Sequence, residues 1–166
     1  MDRQLLSKIL AIMKSRLLEG KEIGDMKVGA LLALGHQLEA IFYYLGHELG
    51  TFLKVDPISD VNSIPDALKR AISEYNIGDV SITDSSGEII QLRLKGHSSS
   101  KDLVNQGITT KGNFCSFEAG LLAGLVEKLL GGVTNLDNVH CFAQEINCSL
   151  QSGQDFCEFM IVFQNE

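Results

Sequence analysis

Tryptophan is absent from this sequence of 166 residues, and proline occurs only twice. Positive charge is also scarce, because 14 Lys and Arg residues stand against 21 Asp and Glu residues, a net charge of −7. An acidic surface without a local basic patch repels phosphate backbones, so nucleic acid is not an expected partner. Since 45% of the residues are apolar, the chain has enough material for a core, and global disorder is not expected.

Long apolar runs are missing as well. A membrane-spanning helix requires about 18–20 uncharged apolar residues, and the run from Val28 to Leu38 is too short and contains His36 and Gln37. Charges scattered over the first twenty residues leave no room for the apolar segment of a signal peptide. We therefore expect no membrane span, a cytoplasmic location, and one domain over residues 1–166. The four cysteines are then expected to be thiols or metal ligands rather than disulfides.

Apolar residues at three- and four-residue spacings predict four helices. The predicted helices span residues 3–18, 26–53, 64–75 and 114–130. The second contains Gly46 and Gly50, and the fourth carries Gly120 and Gly124 on one face. Because glycine costs about 1 kcal/mol relative to alanine inside a helix, these glycines indicate either close backbone packing or a helix break.

Alternating patterns predict two β-hairpins. The first covers residues 79–95 with a turn at Ser85–Gly87, and the second covers residues 139–164 with a turn at Gln151–Gln154. The last strand is apolar on both faces, so we expect it to be central and covered on both sides. The polar segment 96–112 is predicted to be a long loop. The fold class that follows is α+β (mixed α/β), with helices packed on an antiparallel sheet made from the two hairpins.

One group of residues carries chemistry. Glu145, Cys148 and Cys157 bracket the second hairpin, and Cys115 opens the fourth helix. Zinc prefers about four ligands in a tetrahedron and accepts thiolates together with a carboxylate, and a helix N-terminus favours the Cys115 thiolate. Cysteine is also a common core residue, so the spacing leaves a metal site and inert core thiols equally open.

The other polar candidates point to surface or core roles. Cys141 is predicted to be a core thiol, with a role as a replacement ligand left open. His97 is expected at the surface, and Glu118 and Glu127 are expected on a solvated helix face. No phosphate-binding glycine motif and no nucleophile elbow occurs, which counts against a self-contained enzyme.

The segments NFCSFEAGLLAGLVEKLLGG and HCFAQEINCSLQSGQDFCEFMIV resemble the 4-vinyl-reductase domain, a small-molecule-binding module. The family combines a Cys that opens a glycine-containing helix with a Glu, two Cys, a Gly and a Phe on a terminal hairpin. The matching positions are Cys115, Gly120, Gly124, Glu145, Cys148, Gly153, Cys157 and Phe159. The likeness is strong over residues 113–163 and loose over residues 25–95. The fold of this family is shared with subunits of the Golgi-transport tethering complex and with haem-based nitric-oxide sensors.

The resemblance implies a structural zinc ion held by Cys115, Glu145, Cys148 and Cys157, since the aromatic-sensing members hold zinc through a Cys, a Glu and two further Cys. Such a site is closed and has no position for an activated water. Two departures, a longer segment between Cys115 and Glu145 and a final spacing that differs by one, fall in turns, where an extra residue is tolerated.

The resemblance also implies a pocket for a small apolar, aromatic or other lipophilic ligand, and a role as a sensor or regulatory module. Candidate pocket walls are Phe42, Tyr43, Leu45, Phe114, Phe117, Leu121, Phe159 and Ile161. The phenol sensors use a Trp in their pocket. Because this sequence contains no Trp, the resemblance does not imply specificity for phenol. A homodimer is expected, with the N-terminal helix within residues 1–22 as one candidate interface, and a partner regulatory protein would read the ligand.

Two alternatives stay open. One is an enzyme or accessory subunit in tetrapyrrole or aromatic metabolism, as the family name suggests, although the sequence contains no cofactor motif for it. The other is an assembly subunit similar to the transport-tethering proteins, with an acyl chain on a cysteine in place of zinc.

Overall fold

The computed structural model describes residues 39–97, 114–133 and 139–165, together with Ala11. In chain order its elements are α1 (Glu39–Phe52), a 3-10 turn (Val61–Ser63), α2 (Ile64–Glu74), β1 (Asp79–Ser86), β2 (Ile89–Lys95), α3 (Ser116–Leu130), β3 (Val139–Asn147), α4 (Ser149–Ser152) and β4 (Cys157–Asn165). The predicted N-terminal helix, the first half of the second predicted helix and nearly all of the predicted loop lie outside the described residues. None of the described helices combines the length and apolarity that crossing a membrane requires.

The four strands form one antiparallel sheet in the order β1-β2-β4-β3. Each predicted hairpin is present, β1 with β2 and β3 with β4, and the two hairpins join through the pairing of β2 with β4. Helix α3 packs against β3 and α1, and α2 packs against α3 and β1. The predicted fold class, helices on an antiparallel sheet built from two hairpins, is confirmed.

Strand β4 is central, as its composition predicted, but only one of its faces is covered by described residues. Cys157, Phe159, Ile161 and Phe163 point into the core. On the opposite face Val162 pairs with Phe142 and Ile89, whose side chains are 59% and 38% exposed. The expected cover on both faces is therefore wrong for the described part of the chain, because its helices pack on a single face, as antiparallel sheets permit.

Four glycines set the contact between α1 and α3. A Cβ atom on Gly46 or Gly120 would fall well within 3.0 Å of a carbonyl oxygen of the other helix, that of Phe117 or Tyr43, and Gly50 and Gly124 are equally tight. The contacts advance in the same direction along both helices, so α1 and α3 are parallel. The glycines thus mark close backbone packing, one of the two predicted alternatives, and neither helix breaks there.

Tyr43 connects this helix pair to the edge of the sheet. Its hydroxyl accepts a hydrogen bond of 3.1 Å from the backbone N–H of Ala143 in β3. Its ring lies 5.7 Å from the ring of Phe142, measured between centroids. Since β3 is the last strand on its side of the described sheet, Tyr43 satisfies a backbone donor that has no strand partner there.

Candidate metal centre

Three elements bring the four predicted ligands together. Cys115 is the residue before the first turn of α3, Glu145 lies near the end of β3, and Cys148 and Cys157 flank the connection from β3 to β4. One ligand atom from each of these four buried side chains lies within 4.8 Å of the others. The cluster therefore joins the start of a helix to both strands of the C-terminal hairpin.

The local structure of β3 explains why Glu145 and Cys148 face the same site. Residues three apart in a regular strand point to opposite faces. The pairing of β3 with β4 shifts by one residue between Glu145 and Asn147, and a bulge of this kind re-aims the side chains that follow it. The short helix α4 then reverses the chain and ends at Gly153, whose φ of 73° lies in the left-handed region. Sequence patterns predicted a plain turn in place of α4.

The donor atoms have dimensions that suit a tetrahedral metal. The sulfur atoms of Cys115 and Cys157 lie 3.5 Å apart, and zinc–sulfur bonds of about 2.3 Å put two sulfur ligands about 3.8 Å apart. Glu145 Oε2 accepts hydrogen bonds from the backbone N–H groups of Phe114 and Cys115, at 2.8 and 3.1 Å. Its buried Oε1 has no hydrogen-bond partner among the described residues, so one carboxylate oxygen orients the side chain and the other is available to a cation.

The thiols of Cys115 and Cys148 and the carboxyl group of Glu145 have perturbed pKa values. Hydrogen bonds from Cys115 and Cys157 hold the pKa of the Cys148 thiol well below its ordinary value. Burial raises the pKa of Cys115 well above its ordinary value, so burial outweighs the predicted effect of the helix N-terminus on this thiol. Burial, and next the charge of Cys148, raise the pKa of Glu145 to about 7. Burial thus opposes ionisation of Cys115 and Glu145, and a bound cation would compensate their negative charge.

His97 lies at this cluster, which contradicts its predicted surface position. Its side chain is 0% exposed, with Nε2 3.2 Å from the Cys157 sulfur and Nδ1 3.3 Å from Oε1 of Glu118. Glu118 is only 1% exposed, so its predicted solvated position is also wrong. Burial lowers the pKa of His97, but the Glu118 carboxylate and the hydrogen bond with Cys157 outweigh this and raise it to about 10. Leu94 pairs with Cys157, and this register brings the residues after β2 to the cluster.

The other polar candidates lie away from the four ligands. Cys141 is a buried core thiol, as predicted, and it is not in the metal-ligating groups found among the described residues. His47 is partly buried and pairs with Glu127 at 3.3 Å. Glu127 also accepts from the backbone N–H of Cys141, so it ties α3 to β3 and is only partly solvated.

The predicted pocket residues divide into two groups. Seven belong to the continuous buried core, namely Phe42, Leu45, Phe114, Phe117, Leu121, Phe159 and Ile161. Tyr43 instead lines a cavity of about 330 Å³, together with Phe142, Ala119, Ser116 and Glu145. The buried hydroxyl of Ser116 has no hydrogen-bond partner among the described residues. Glu39 and Gln144 also line this cavity, which thus combines aromatic and polar walls and lies beside the metal-ligating cluster through Glu145.

Comparison with solved structures defines the class of fold. The phenol-responsive sensory domain of the transcription activator PoxR, with phenol, has a TM-score of 0.63 and 12% identity, covering 84% of this chain and 72% of that one. Trafficking protein particle complex subunit 3 from Naegleria fowleri, covalently bound to palmitic acid, has a TM-score of 0.51 and 11% identity, covering 98% and 97%. At such identities the likeness shows a shared fold.

Among individual proteins, an uncharacterized protein of Methanocaldococcus jannaschii is 26% identical over 141 residues, which cover 85% of this chain and 73% of the relative. No family model matches the chain. The fold expected from the resemblance is therefore confirmed by its structural neighbours, whereas membership of the 4-vinyl-reductase family stays a prediction.

Proposed function

We propose that this chain is a zinc-containing domain that binds a small lipophilic or aromatic molecule and acts as a sensor or regulatory module. The observation that carries the proposal is the convergence of four buried donors, Cys115, Glu145, Cys148 and Cys157, within 4.8 Å of one another. Three thiolates and a carboxylate match the ligand preference of zinc.

The role of the zinc ion is structural in this proposal. Four protein ligands fill a tetrahedron and leave no position for an activated water. The ligands belong to segments 30 and 42 residues apart in the chain, so the ion would fasten the start of α3 to the terminal hairpin. The described residues provide no hydrogen-bond partner for the buried Oε1 of Glu145. A metal ion bound to this oxygen would compensate it, which supports the structural role.

The proposed ligand is apolar or aromatic. The structural neighbours carry phenol and palmitic acid, and the cavity beside the cluster has Tyr43 and Phe142 as walls and the Ser116 hydroxyl as a polar contact. Ligand pockets commonly combine apolar walls with a few such groups. Since the sequence contains no Trp, we do not propose phenol as the natural ligand.

Homodimer formation, a partner regulatory protein and a cytoplasmic location complete the proposal. The basis for the dimer is the apolar face predicted within residues 1–22, which would form an isologous contact. Native mass spectrometry of the full chain measures the oligomeric state directly, and a monomer at micromolar concentration would contradict the dimer without affecting the metal site.

The metal site is tested by elemental analysis combined with native mass spectrometry of the full chain. We expect one zinc ion per chain, and Cys148→Ser should lose it, because the hairpin ligand is removed. Cys141→Ser is the matched control, since this buried cysteine lies outside the cluster, and it should keep the metal. A wild-type chain that stays metal-free after zinc is supplied would refute the proposal.

Ligand binding is tested separately with phenol and palmitate as probes in the zinc-loaded chain. Ala119→Leu places a larger side chain in the cavity and should weaken binding of whichever probe occupies it, with zinc content unchanged. Equal binding of the probe by the wild type and the variant would show that the ligand does not bind in this cavity. Failure of both probes, with no small molecule retained in the native mass spectrum, would contradict a binding function of this kind.

A covalent acyl chain is the second candidate, because one structural neighbour carries covalently bound palmitic acid. Intact mass under denaturing conditions separates it from zinc, since an acyl chain survives denaturation and a metal ion does not. Visible absorbance of the purified protein tests the other alternative, a role with a tetrapyrrole or a redox cofactor.

A further inference from the structure

A second buried pair of polar groups adjoins the four proposed ligands. His97 and Glu118 are 0% and 1% exposed, and they contact each other through Nδ1 and Oε1 at 3.3 Å. The other ring nitrogen, Nε2, lies 3.2 Å from the Cys157 sulfur and 3.7 Å from the Cys115 sulfur. One imidazole ring therefore connects a buried carboxylate to two of the proposed metal ligands.

The charge of the proposed centre explains why hydrogen-bond donors are needed there. Three thiolates and a carboxylate around a divalent zinc leave a formal charge of about −2 in a buried site, which is costly without compensation. Cys157 already receives the backbone N–H of Ser149 at 3.2 Å, and the Ser149 hydroxyl lies 3.2 Å from the same sulfur. His97 Nε2 contacts the same sulfur at 3.2 Å, and it comes from a separate part of the chain, the segment that follows β2.

The contact with Glu118 fixes which way the ring faces. Glu118 Oε1 lies at ion-pair distance from Nδ1, 3.3 Å, and an ionised carboxylate attracts the side of the ring that carries a proton. The ring is then oriented with Nε2 towards the sulfur atoms. Metal sites commonly use such outer carboxylate–histidine contacts, and they stabilise both the orientation and the basicity of the inner ligands.

We propose that His97, oriented by Glu118, is a positioning residue of the metal centre, whose Nε2–H group donates a hydrogen bond to the metal-bound thiolate of Cys157. The inference rests on the proposed zinc site and deepens it. The hydrogen bond stabilises negative charge on the sulfur, holds Cys157 in the ligating orientation and slows release of the metal. His97 is thereby a connection between β2 and the centre that the four ligands alone do not provide.

Two amide variants separate the contacts of the ring. In His97→Gln the side-chain nitrogen lies near the former position of Nε2, so a donor to the sulfur is retained. In His97→Asn the nitrogen lies near the former position of Nδ1, so the contact with Glu118 is retained and the donor to the sulfur is lost. His47→Gln is the matched control, because His47 also pairs with a glutamate, Glu127, and contacts none of the four ligands in the described hydrogen bonds.

The measurement is zinc affinity of the full chain by competition with a chromophoric chelator. We expect His97→Asn to bind zinc about 10–100-fold more weakly than the wild type, the usual effect of losing an outer contact. His97→Gln should remain within a few fold of the wild type, and the control should be unchanged. In the cobalt-substituted proteins the sulfur-to-cobalt charge-transfer band should move to lower energy in His97→Asn alone, because the sulfur lone pair loses its hydrogen bond.

Three outcomes would overturn the inference. Equal affinity and equal spectra in both amide variants would show that the ring does not act on the thiolate. A second metal ion per wild-type chain that both variants lose, or a change in the cobalt d–d bands that signals a lost ligand, would make His97 a metal ligand instead. A wild type that binds no metal would refute the zinc site and the role of His97 with it. This outcome is distinguishable from the other two, because in both of those the wild type binds zinc. Near-ultraviolet circular dichroism identifies any variant that fails to fold, and the spectral shift in the folded cobalt form then remains as the test.

Discussion

The contact between α1 and α3 allows a quantitative prediction for Gly50→Ala. A Cβ atom at this position would lie 2.5 Å from the carbonyl oxygen of Leu121, and within 3.0 Å of backbone atoms of Leu125 and Gly124. All three neighbours are backbone atoms of a packed helix, so no flexible side chain can move aside. To reach 3.4 Å, where ordinary van der Waals contact begins, the helices must separate locally by about 0.9 Å.

The cost follows from this separation. A gap of about 0.5–1 Å removes a quarter to a half of the dispersion energy of the atoms that face it, and overpacking of a core costs about 1–3 kcal/mol. We take the upper end, about 3 kcal/mol, because the obstacle is backbone. Replacing glycine inside a helix returns about 1 kcal/mol. The free energy of unfolding should therefore fall by about 2 kcal/mol.

Urea unfolding, followed by circular dichroism at fixed zinc concentration, measures this difference through the midpoint at constant m-value. Gly131→Ala is the control, because the nearest atom to its Cβ would be the Lys128 carbonyl oxygen at an ordinary 3.5 Å and its φ is −59°. We expect that control to be neutral or slightly stabilising. If Gly50→Ala were as stable as the wild type or more stable, helix propensity would outweigh packing, and the close parallel contact would be wrong.

Three further predictions concern single groups and the metal. Burial, and next the charge of Glu127, raise the pKa of Cys141 to about 12. The folded state therefore keeps a proton that the unfolded state loses near pH 9, so the free energy of unfolding falls as the pH rises above 9. Urea unfolding at pH 8.5 and 10 should show a loss larger by about 1 kcal/mol in the wild type than in Cys141→Ala, and parallel curves would contradict the burial of this thiol. Tyr43→Phe removes the acceptor for the Ala143 N–H group and should lower the free energy of unfolding by about 0.5–1.5 kcal/mol, with an unchanged value counting against that contact. Chelation should destabilise the zinc-loaded chain by about 4 kcal/mol if zinc was present at a thousand times its dissociation constant; a thermal midpoint that does not respond to chelator would argue against a structural metal.

The sequence predicts the elements of this fold well where the signal is local. Apolar periodicity located α2 and α3, alternation located both hairpins, and the composition of residues 157–164 placed the last strand in the centre of the sheet. The glycines of α1 and α3 indicated either tight packing or a break, and only the structure distinguishes the two. The hairpin pattern alone indicated that Cys148 and Cys157 come close together, whereas the set of four with Cys115 and Glu145 was implied by the family resemblance.

What the sequence could not predict depends on contacts between distant segments. His97 follows a polar strand end, and nothing in its neighbourhood signals burial. Its position results from the pairing of Leu94 with Cys157, a register that local patterns do not specify. Glu118 was assigned to a solvated face because charged residues are rarely buried without a partner, and its partner, His97, is 21 positions earlier in the chain.

The hydroxyl of Tyr43 also has a consequence for how this chain behaves among copies of itself. An edge strand with unsatisfied N–H groups offers a template to which a strand of another molecule can add, and chains with such edges aggregate readily. In β3 the N–H group of Ala143 is already engaged by a side chain from α1, and the ring above Phe142 adds bulk at that edge. A single aromatic residue on a neighbouring helix thus obstructs intermolecular strand addition at this point, which is a protective role distinct from its contribution to folding.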